Sequence, residues 1–215
     1  MTEARPVPPA TADRPPARRR RAIGVLLSIA ALALLLDFGT KQWAISGLTP
    51  GEPVRILGGL VHLSLTRNSG AAWSIGADYT WVFPIIAIGV VGWIVWMAAK
   101  VRSLPWAVSL GLVLGGALGN LNDRIFREPG PFVGHVVDMI SVFGPYGQYF
   151  PIFNIADSAL FCGVVLAVLL ELTGRQRDGS RLPSRRHAAS PPAASPPAGE
   201  PSAGEPPVSD REERA

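Results

Sequence analysis

Cysteine is nearly absent from this 215-residue chain. Cys162 is the only one, which excludes an intrachain disulfide and any CxxC metal or redox motif. Histidine is almost as scarce: His62, His135 and His187 lie far apart in sequence, with no spacing that suits zinc. No G-x-S-x-G element and no phosphate-binding loop occurs. Charged residues make up only 17% of the chain, below the quarter or so usual in soluble domains. Hydrophobic residues make up 48%, and mean hydropathy is +0.27. The basic excess, a net charge of +4 and a pI near 9.8, sits beside apolar runs without interleaved aromatics, so it fits a membrane surface rather than nucleic acid.

What is present is sharply segregated. Of the 21 prolines, five precede Arg21 and eight follow Leu182. Both ends are rich in Ala, Arg, Ser and Glu and lack the apolar residues that offset ordering entropy. Residues 1–21 and 174–215 are therefore predicted to be disordered tails around one compact unit, 22–173. Cys162 falls in an apolar run of that unit, where a small packing residue is expected.

The unit holds four long apolar runs: Ala22 through Thr40, Tyr79–Ala99, Leu104–Leu121 and Ile152–Leu170. Each comes close to the twenty or so helical residues needed to cross the hydrocarbon core, and backbone groups in lipid must be paired, so all four are predicted to be transmembrane helices. Pro84 and Pro105 fall near helix starts, where a missing N–H is tolerated. The first run follows Arg18–Arg21 as in a signal sequence, but Ala44-Ile45-Ser46 is a poor cleavage site and three spans follow, which favours a retained anchor. With both termini cytoplasmic, 15 of the 20 Lys and Arg residues lie inside and five, Lys41, Arg55, Arg67, Arg124 and Arg127, lie outside. Segments 41–78 and 122–151 then face outward, and the partial alternation from Leu60 to Thr66 predicts a short surface strand or hairpin.

Ionisable groups at membrane depth are costly and ask for a functional reason. Asp37, Asn120, Asp123, Arg124, Asp138, Asn154 and Asp157 all fall at the outer ends of spans or in the last outer segment, so four stretches deliver polar groups to one level. Asp157 starts the fourth helix, on the same face as Asn154; Asp138 lies between apolar residues in a loop returning to that membrane face. Two carboxylates brought together in a poorly solvated place share a proton, and such a pair can activate water and polarise a carbonyl as aspartic proteases do. The bland alternative makes Asp157 a helix cap and Asp138 a solvated loop acid. Arg124 can orient a carboxylate or simply snorkel at a helix end. Asp37 and Lys41, four residues apart, read as an ion pair, and Asn68-Ser69-Gly70 as a turn whose asparagine binds substrate backbone or makes an Asx turn. A serine–lysine dyad has only Lys41 as an outward lysine. Two rival classes use the same polar residues: a small proton-coupled transporter with an ionisable relay, and an assembly subunit whose polar residues glue helices.

The blocks Asp37…Lys41, Asn68-Ser69-Gly70-Ala71-Ala72, Gly115-Gly116-Ala117-Leu118-Gly119-Asn120-Leu121-Asn122-Asp123-Arg124, Val136-Val137-Asp138 and Phe153-Asn154-Ile155-Ala156-Asp157 together resemble the bacterial lipoprotein signal peptidases, signal peptidase II, over about Ala22 to Leu172. The resemblance implies a monomeric aspartic endopeptidase of the plasma membrane, its active site near the extracytoplasmic face. It would remove signal peptides from diacylglyceryl-modified prolipoproteins just before the lipidated cysteine, among membrane lipids and without metal or organic cofactor. By that likeness Asp138 and Asp157 are the catalytic pair. Asp37, Lys41, Asn68, Gly70, Asn120, Arg124 and Asn154 line or support the site, and Gly116 and Ala156 allow close approach. The resemblance also implies an all-α membrane fold of four helices with a small β-cradle outside, and a partly mobile lid over 130–151. Trp73 and Asn122 depart from the family's usual residues, and the proline-rich tails lie outside its pattern.

Overall fold

The computed structural model of the protein describes residues 15–70 and 79–182. Residues 1–14 and 183–215 of the expected tails, with His187, and Ala71, Ala72 and Trp73 lie outside them.

Helix α1 runs from Pro15 to Gly47 and α2 from Val82 to Ala98; α3 spans Leu104–Phe126 and α4 Ile155–Leu172. Three of them, α1, α3 and α4, are long and apolar enough to cross a membrane; α2, with 17 residues, is a shorter apolar helix. Between the helices lies a three-stranded antiparallel sheet, β1 (Val54–Ile56), β2 (Val61–Asn68) and β3 (Val136–Val142), in the order β1-β2-β3.

The structure departs from the sequence expectation by more than a turn at both ends of α1, at the end of α3 and after α4. Helix α1 begins at Pro15, inside the expected tail, because Ala17–Ala22 is a run of good helix formers behind two prolines, which suit a first turn. It continues to Gly47, so Ala44-Ile45-Ser46 is helical, with Ala44 buried against the sheet. Helix α3 runs five residues past Leu121, since nothing breaks it before Glu128-Pro129; Asp123 and Arg124 therefore sit on a helix and not in the outer loop. At the other end of the unit, the chain stays folded beyond Thr173 as a tight strap over 174–182. Arg177 O accepts the amides of Arg102 (2.9 Å) and Ser103 (3.0 Å), and Trp106 Nε1 donates to Arg175 O at 2.7 Å.

Two apolar clusters hold the fold. The larger joins Ala22, Leu26 and Ala30 of α1 to Ile94 and Met97 of α2, Trp106, Leu110 and Leu114 of α3 and Leu170 of α4. The smaller packs Val137 and Met139 of β3 against Ala44 and Leu48 at the end of α1. Helix α3 is the central element, in its most extensive contact with α1 and α4. Glycines make that contact possible: a Cβ at Gly111 would stand 2.7 Å from Leu26 O, one at Gly115 2.6 Å from Ala30 O, and one at Gly116 would run into Ala156 O.

Candidate active site

Asp157 is placed by the cap of α4. Asn154, with extended backbone, is the N-cap: its Oδ1 accepts Asp157 N at 2.9 Å, while Asp157 Oδ2 accepts Asn154 N at 3.1 Å. This is a reciprocal capping box, which locks both side chains to the helix start. Asp157 is thus the cap of the bland reading and, at the same time, part of a cavity wall.

Asp138 lies in strand β3, where the sequence suggested a loop, paired with Thr66 of β2. The alternation of β3 turns Val137 and Met139 to the apolar cluster and Asp138 to the other face. Asp138 is 2% exposed yet fully hydrogen-bonded: Asn154 Nδ2 donates to Oδ1 at 2.6 Å and Asn68 Nδ2 to Oδ2 at 3.0 Å. Burial, reinforced by the negative charge of Asp157, raises the Asp138 carboxyl to about 7. It therefore carries a proton over much of the range near neutrality.

Asparagines connect the two acids. Asn120 Nδ2 donates to Asp157 Oδ1 at 2.7 Å, and Asn154 Nδ2 reaches Asn120 Oδ1 at 3.2 Å and Asp138 Oδ1. Asn68 makes the Asx turn as well, its Oδ1 accepting Gly70 N at 2.9 Å. Arg124 does not fork onto a carboxylate as the sequence suggested. Its guanidinium donates to the carbonyls of Ser69 (2.8 Å), Gly70 (2.5 Å) and Gly134 (3.1 Å), and lies 5.1 Å from the Phe83 ring centroid. It cross-links the turn after β2 to the segment leading into β3.

A cavity of about 670 Å³ opens over these groups, lined by the polar Asn68, Asn120, Arg124, Asp138 and Asp157 and by the aromatic Phe83, Phe153 and Phe161. Cys162 is not packed in a core; it is exposed and lines the same cavity, because α4 turns that face outward. Asp37 and Lys41 form a buried pair at 2.7 Å rather than an interfacial one. Ala156 lies in contact with both Gly116 and Gly119. The residue that sequence reasoning left out of the site is Asp123, which is 0% exposed and accepts Val137 N at 3.1 Å. Its signal was present: it falls three residues after Asn120, on the same face of an extended α3. Among the described residues no three His, Cys, Asp or Glu side chains gather into a group able to hold a metal ion.

A mostly apolar cavity with two juxtaposed acids suits hydrolysis of a peptide held in a lipid-like setting. The family described as "Signal peptidase (SPase) II" matches residues 29–173. This chain belongs to the signal peptidase II family. It is 48% identical over 183 residues to the lipoprotein signal peptidase of Mycolicibacterium smegmatis, covering 84% of this chain and 76% of that one. It is 45% identical to the lipoprotein signal peptidase of Streptomyces coelicolor, covering 76% and 78% of the two chains. A solved structure described as a bacterial membrane enzyme, obtained by the in meso method at 2.3 Å, aligns with a TM-score of 0.62 and 34% identity over 70% of this chain and 88% of that one. As a signal peptidase II, the chain is an aspartic peptidase and a multi-pass membrane protein, and nothing in these matches favours a transporter.

Proposed function

We propose that this signal peptidase II cuts the signal peptide from diacylglyceryl-modified prolipoproteins just before the lipidated cysteine, with Asp138 and Asp157 as the reacting pair. The observation that carries this reading is that both acids line one cavity, each held by two N–H donors, with Asp138 raised to about 7. A water between them attacks the scissile carbonyl carbon as Asp157 takes its proton. Protonated Asp138 donates to the carbonyl oxygen. Collapse of the tetrahedral intermediate breaks the C–N bond, a carboxyl proton passes to the leaving amine, and that amine becomes the new N-terminus of the lipidated cysteine. No cofactor takes part in these steps.

On this reading α1 to α4 are four spans of a monomer in the plasma membrane, with both termini cytoplasmic and the sheet and dyad at the outer face. The 17 residues of α2 rise about 26 Å as a helix, close to the hydrocarbon thickness of about 30 Å. Exposed Leu35, Phe161 and Val164 on α1 and α4 suit contact with lipid. The acyl chains of the substrate stay in lipid beside the cavity while the scissile bond meets the acids. Within segment 130–151 the stretches that flank the buried strand β3, 130–135 and 143–151, act as the lid. Their Phe132, Phe143 and Tyr146 hold left-handed backbone without being glycine, a strain of about 1–2 kcal/mol each that a movable segment can release.

The test is cleavage of a purified diacylglyceryl-modified prolipoprotein by wild type, Asp138→Asn and Asp157→Asn at equal folded concentration. Wild type cuts before the lipidated cysteine and both variants fail. Near-normal cleavage by either variant makes that acid structural and removes the dyad.

A further inference from the structure

Behind the dyad stand two buried carboxylates, one for each of its members. Asp37 Oδ1 accepts the peptide N–H of Ala156 at 2.8 Å, and Ala156 immediately precedes Asp157. Asp123 Oδ2 accepts the peptide N–H of Val137 at 3.1 Å, and Val137 immediately precedes Asp138. Asp37 is 1% exposed and Asp123 0%.

One ammonium joins them. Lys41 Nζ lies 2.7 Å from Asp37 Oδ2 and 3.0 Å from Asp123 Oδ2, and donates to Asn120 Oδ1 at 3.0 Å. An ammonium has three protons, so all of its hydrogen-bonding capacity is used. Lys41 is fully buried, and neither it nor Asp37 nor Asp123 lines the cavity. None of the three touches substrate. The third proton still acts on the site, because Asn120 passes its own amide N–H to Asp157 Oδ1 at 2.7 Å.

A buried ion cluster is a poor source of net stability, because desolvating the charges costs about as much as their attraction returns. What it does supply is a fixed distance. The two acids come from a strand and a helix start that meet through the backbone bridge between Ile140 and Phe153 and through Asn154 Nδ2, which reaches Val137 O and Asp138 Oδ1. A cation between their two backbone anchors adds a second tie behind the dyad, and two ties fix a spacing that one alone leaves free to tilt. We propose that Lys41 is a positioning residue for the dyad: it ties Asp37 to Asp123 and thereby fixes the spacing of the peptide units that carry Asp157 and Asp138. This rests on the reading of Asp138 and Asp157 as the reacting pair.

Lys41 also belongs to the electrostatic surroundings of Asp138, with Asp157 from α4 and Arg124 from α3; its charge favours the ionised carboxyl. Removing it displaces the alkaline limb of the rate profile to higher pH.

The test uses the purified full chain in lipid nanodiscs and a diacylglyceryl-modified prolipoprotein, with kcat and KM measured against pH per folded molecule. Lys41→Met removes the tie but leaves the buried Asp37 carboxylate without a cation, Asp123 keeping Arg127, and this threatens folding. The triple variant Asp37→Asn/Lys41→Met/Asp123→Asn removes the charges with the tie and keeps an amide oxygen for each backbone N–H. In both, kcat falls by about 100-fold, the cost of a misplacement near 1 Å. KM stays within about threefold, because substrate binding is not what is lost. The alkaline limb of Lys41→Met moves up, and Lys41→Arg, which keeps a cation, recovers part of kcat. A triple variant with near-normal kcat, or one that raises KM at unchanged kcat, overturns the proposal. If that happens while Asp138→Asn and Asp157→Asn still abolish cleavage, the tie alone fails; if those two exchanges cleave normally, the dyad fails first.

Discussion

The two halves of α3 are packed by different rules. From Trp106 to Leu114 the helix meets α1, α2 and α4 through apolar side chains and bare glycine, with one polar link, Ser109 Oγ to Gly163 O at 2.8 Å. From Asn120 to Arg124 it meets its neighbours through Asn120, Asp123 and Arg124, whose polar atoms are engaged with α1, α4, β3 and the turn after β2, while Arg127 pairs with Asp123 one turn back. Contact in the first half is interchangeable: within a membrane, helices gain from close van der Waals fit, and many side chains provide it. In the second half Asn120, Asp123 and Arg124 each meet assigned partners, while Arg127 Nη2 is buried without one and carries its desolvation cost. One end of the helix holds the bundle together; the other holds particular atoms in place.

The largest effect that separates the halves is chemical. Asp138→Asn or Asp157→Asn lowers cleavage by about a thousandfold or more, the scale of lost general acid–base catalysis, while the protein remains folded because an amide replaces each carboxylate. Monodisperse elution and an unchanged melting temperature beside a lost product band check this. If melting falls in step with cleavage, the polar end is mere glue and the contrast collapses.

Acidity provides the next separation. With Asp138 raised to about 7, its proton is present below that value and lost above it, so kcat/KM falls about tenfold per unit on the alkaline side. The sign for stability follows the same raised value. The folded state holds a proton that the unfolded chain releases near 4, so this group's contribution is complete below about 4 and disappears as pH rises through about 7. The penalty of an overpacking substitution in the apolar half, read as a shift in melting temperature, is independent of pH over this range. A flat kcat/KM from pH 6 to 9 contradicts the role of Asp138 as proton donor.

The same substitution made at two positions of α3 sharpens the contrast further. A Cβ at Gly111 would stand 2.7 Å from Leu26 O and 3.0 Å from Ile29 Cβ; at Gly119 it would stand 2.6 Å from Asp37 Oδ2 and 3.0 Å from Ala156 Cβ. Each alanine overpacks and costs about 1–3 kcal/mol of stability. Only Gly119→Ala also displaces Asp37 and the start of α4, so it alone lowers kcat per folded molecule, by about tenfold. Gly24→Ala, inside α1 with open space around its Cβ, leaves kcat unchanged and raises stability by no more than about 0.5–1 kcal/mol through helix propensity. Equal kcat losses at both positions mean that the halves are not independent.

The apolar half was the easier of the two to see in the sequence. Long runs such as Val25–Leu36 and Val164–Leu170 announce helices by composition alone, and the polar residues interrupting their ends announce a site. What the sequence concealed was three-dimensional detail. Asp138 looked like a loop residue because Val136-Val137-Asp138-Met139-Ile140 is too short and too uniformly apolar to alternate; its strand character comes from pairing with β2, a contact distant in sequence. Arg124 looked like a partner for a carboxylate because backbone carbonyls of a turn leave no mark in sequence. Asp123 was counted among the converging polar residues but given no place in the site, because its partner, the peptide N–H of Val137, is a backbone group that leaves no mark in sequence.

The strap over 174–182 gives the smallest expected effect, and it lies beyond residues 29–173, which match the family description. It closes on the apolar half, through Arg177 O to the amides of Arg102 and Ser103, Arg175 O to Trp106 Nε1, and the Arg177 guanidinium 4.9 Å from the Trp106 ring centroid. Ending the chain after Leu182 leaves all of these in place and changes neither melting nor cleavage. Ending it after Thr173 removes these three hydrogen bonds and the two by which Gly174 N and Arg175 N reach Glu171 O and Leu170 O of α4, each worth about 0.5–1.5 kcal/mol net and less where water replaces the lost partner. Melting then falls by roughly 2–4 °C for each kcal/mol lost. Cleavage per folded molecule stays unchanged, because the dyad's anchors, Asp37 and Asp123, lie at the far end of α1 and α3 from the strap. A shorter chain that melts normally but turns over slowly shows that the far end of α3 reaches the dyad, and the division of the helix into a holding end and a placing end then fails.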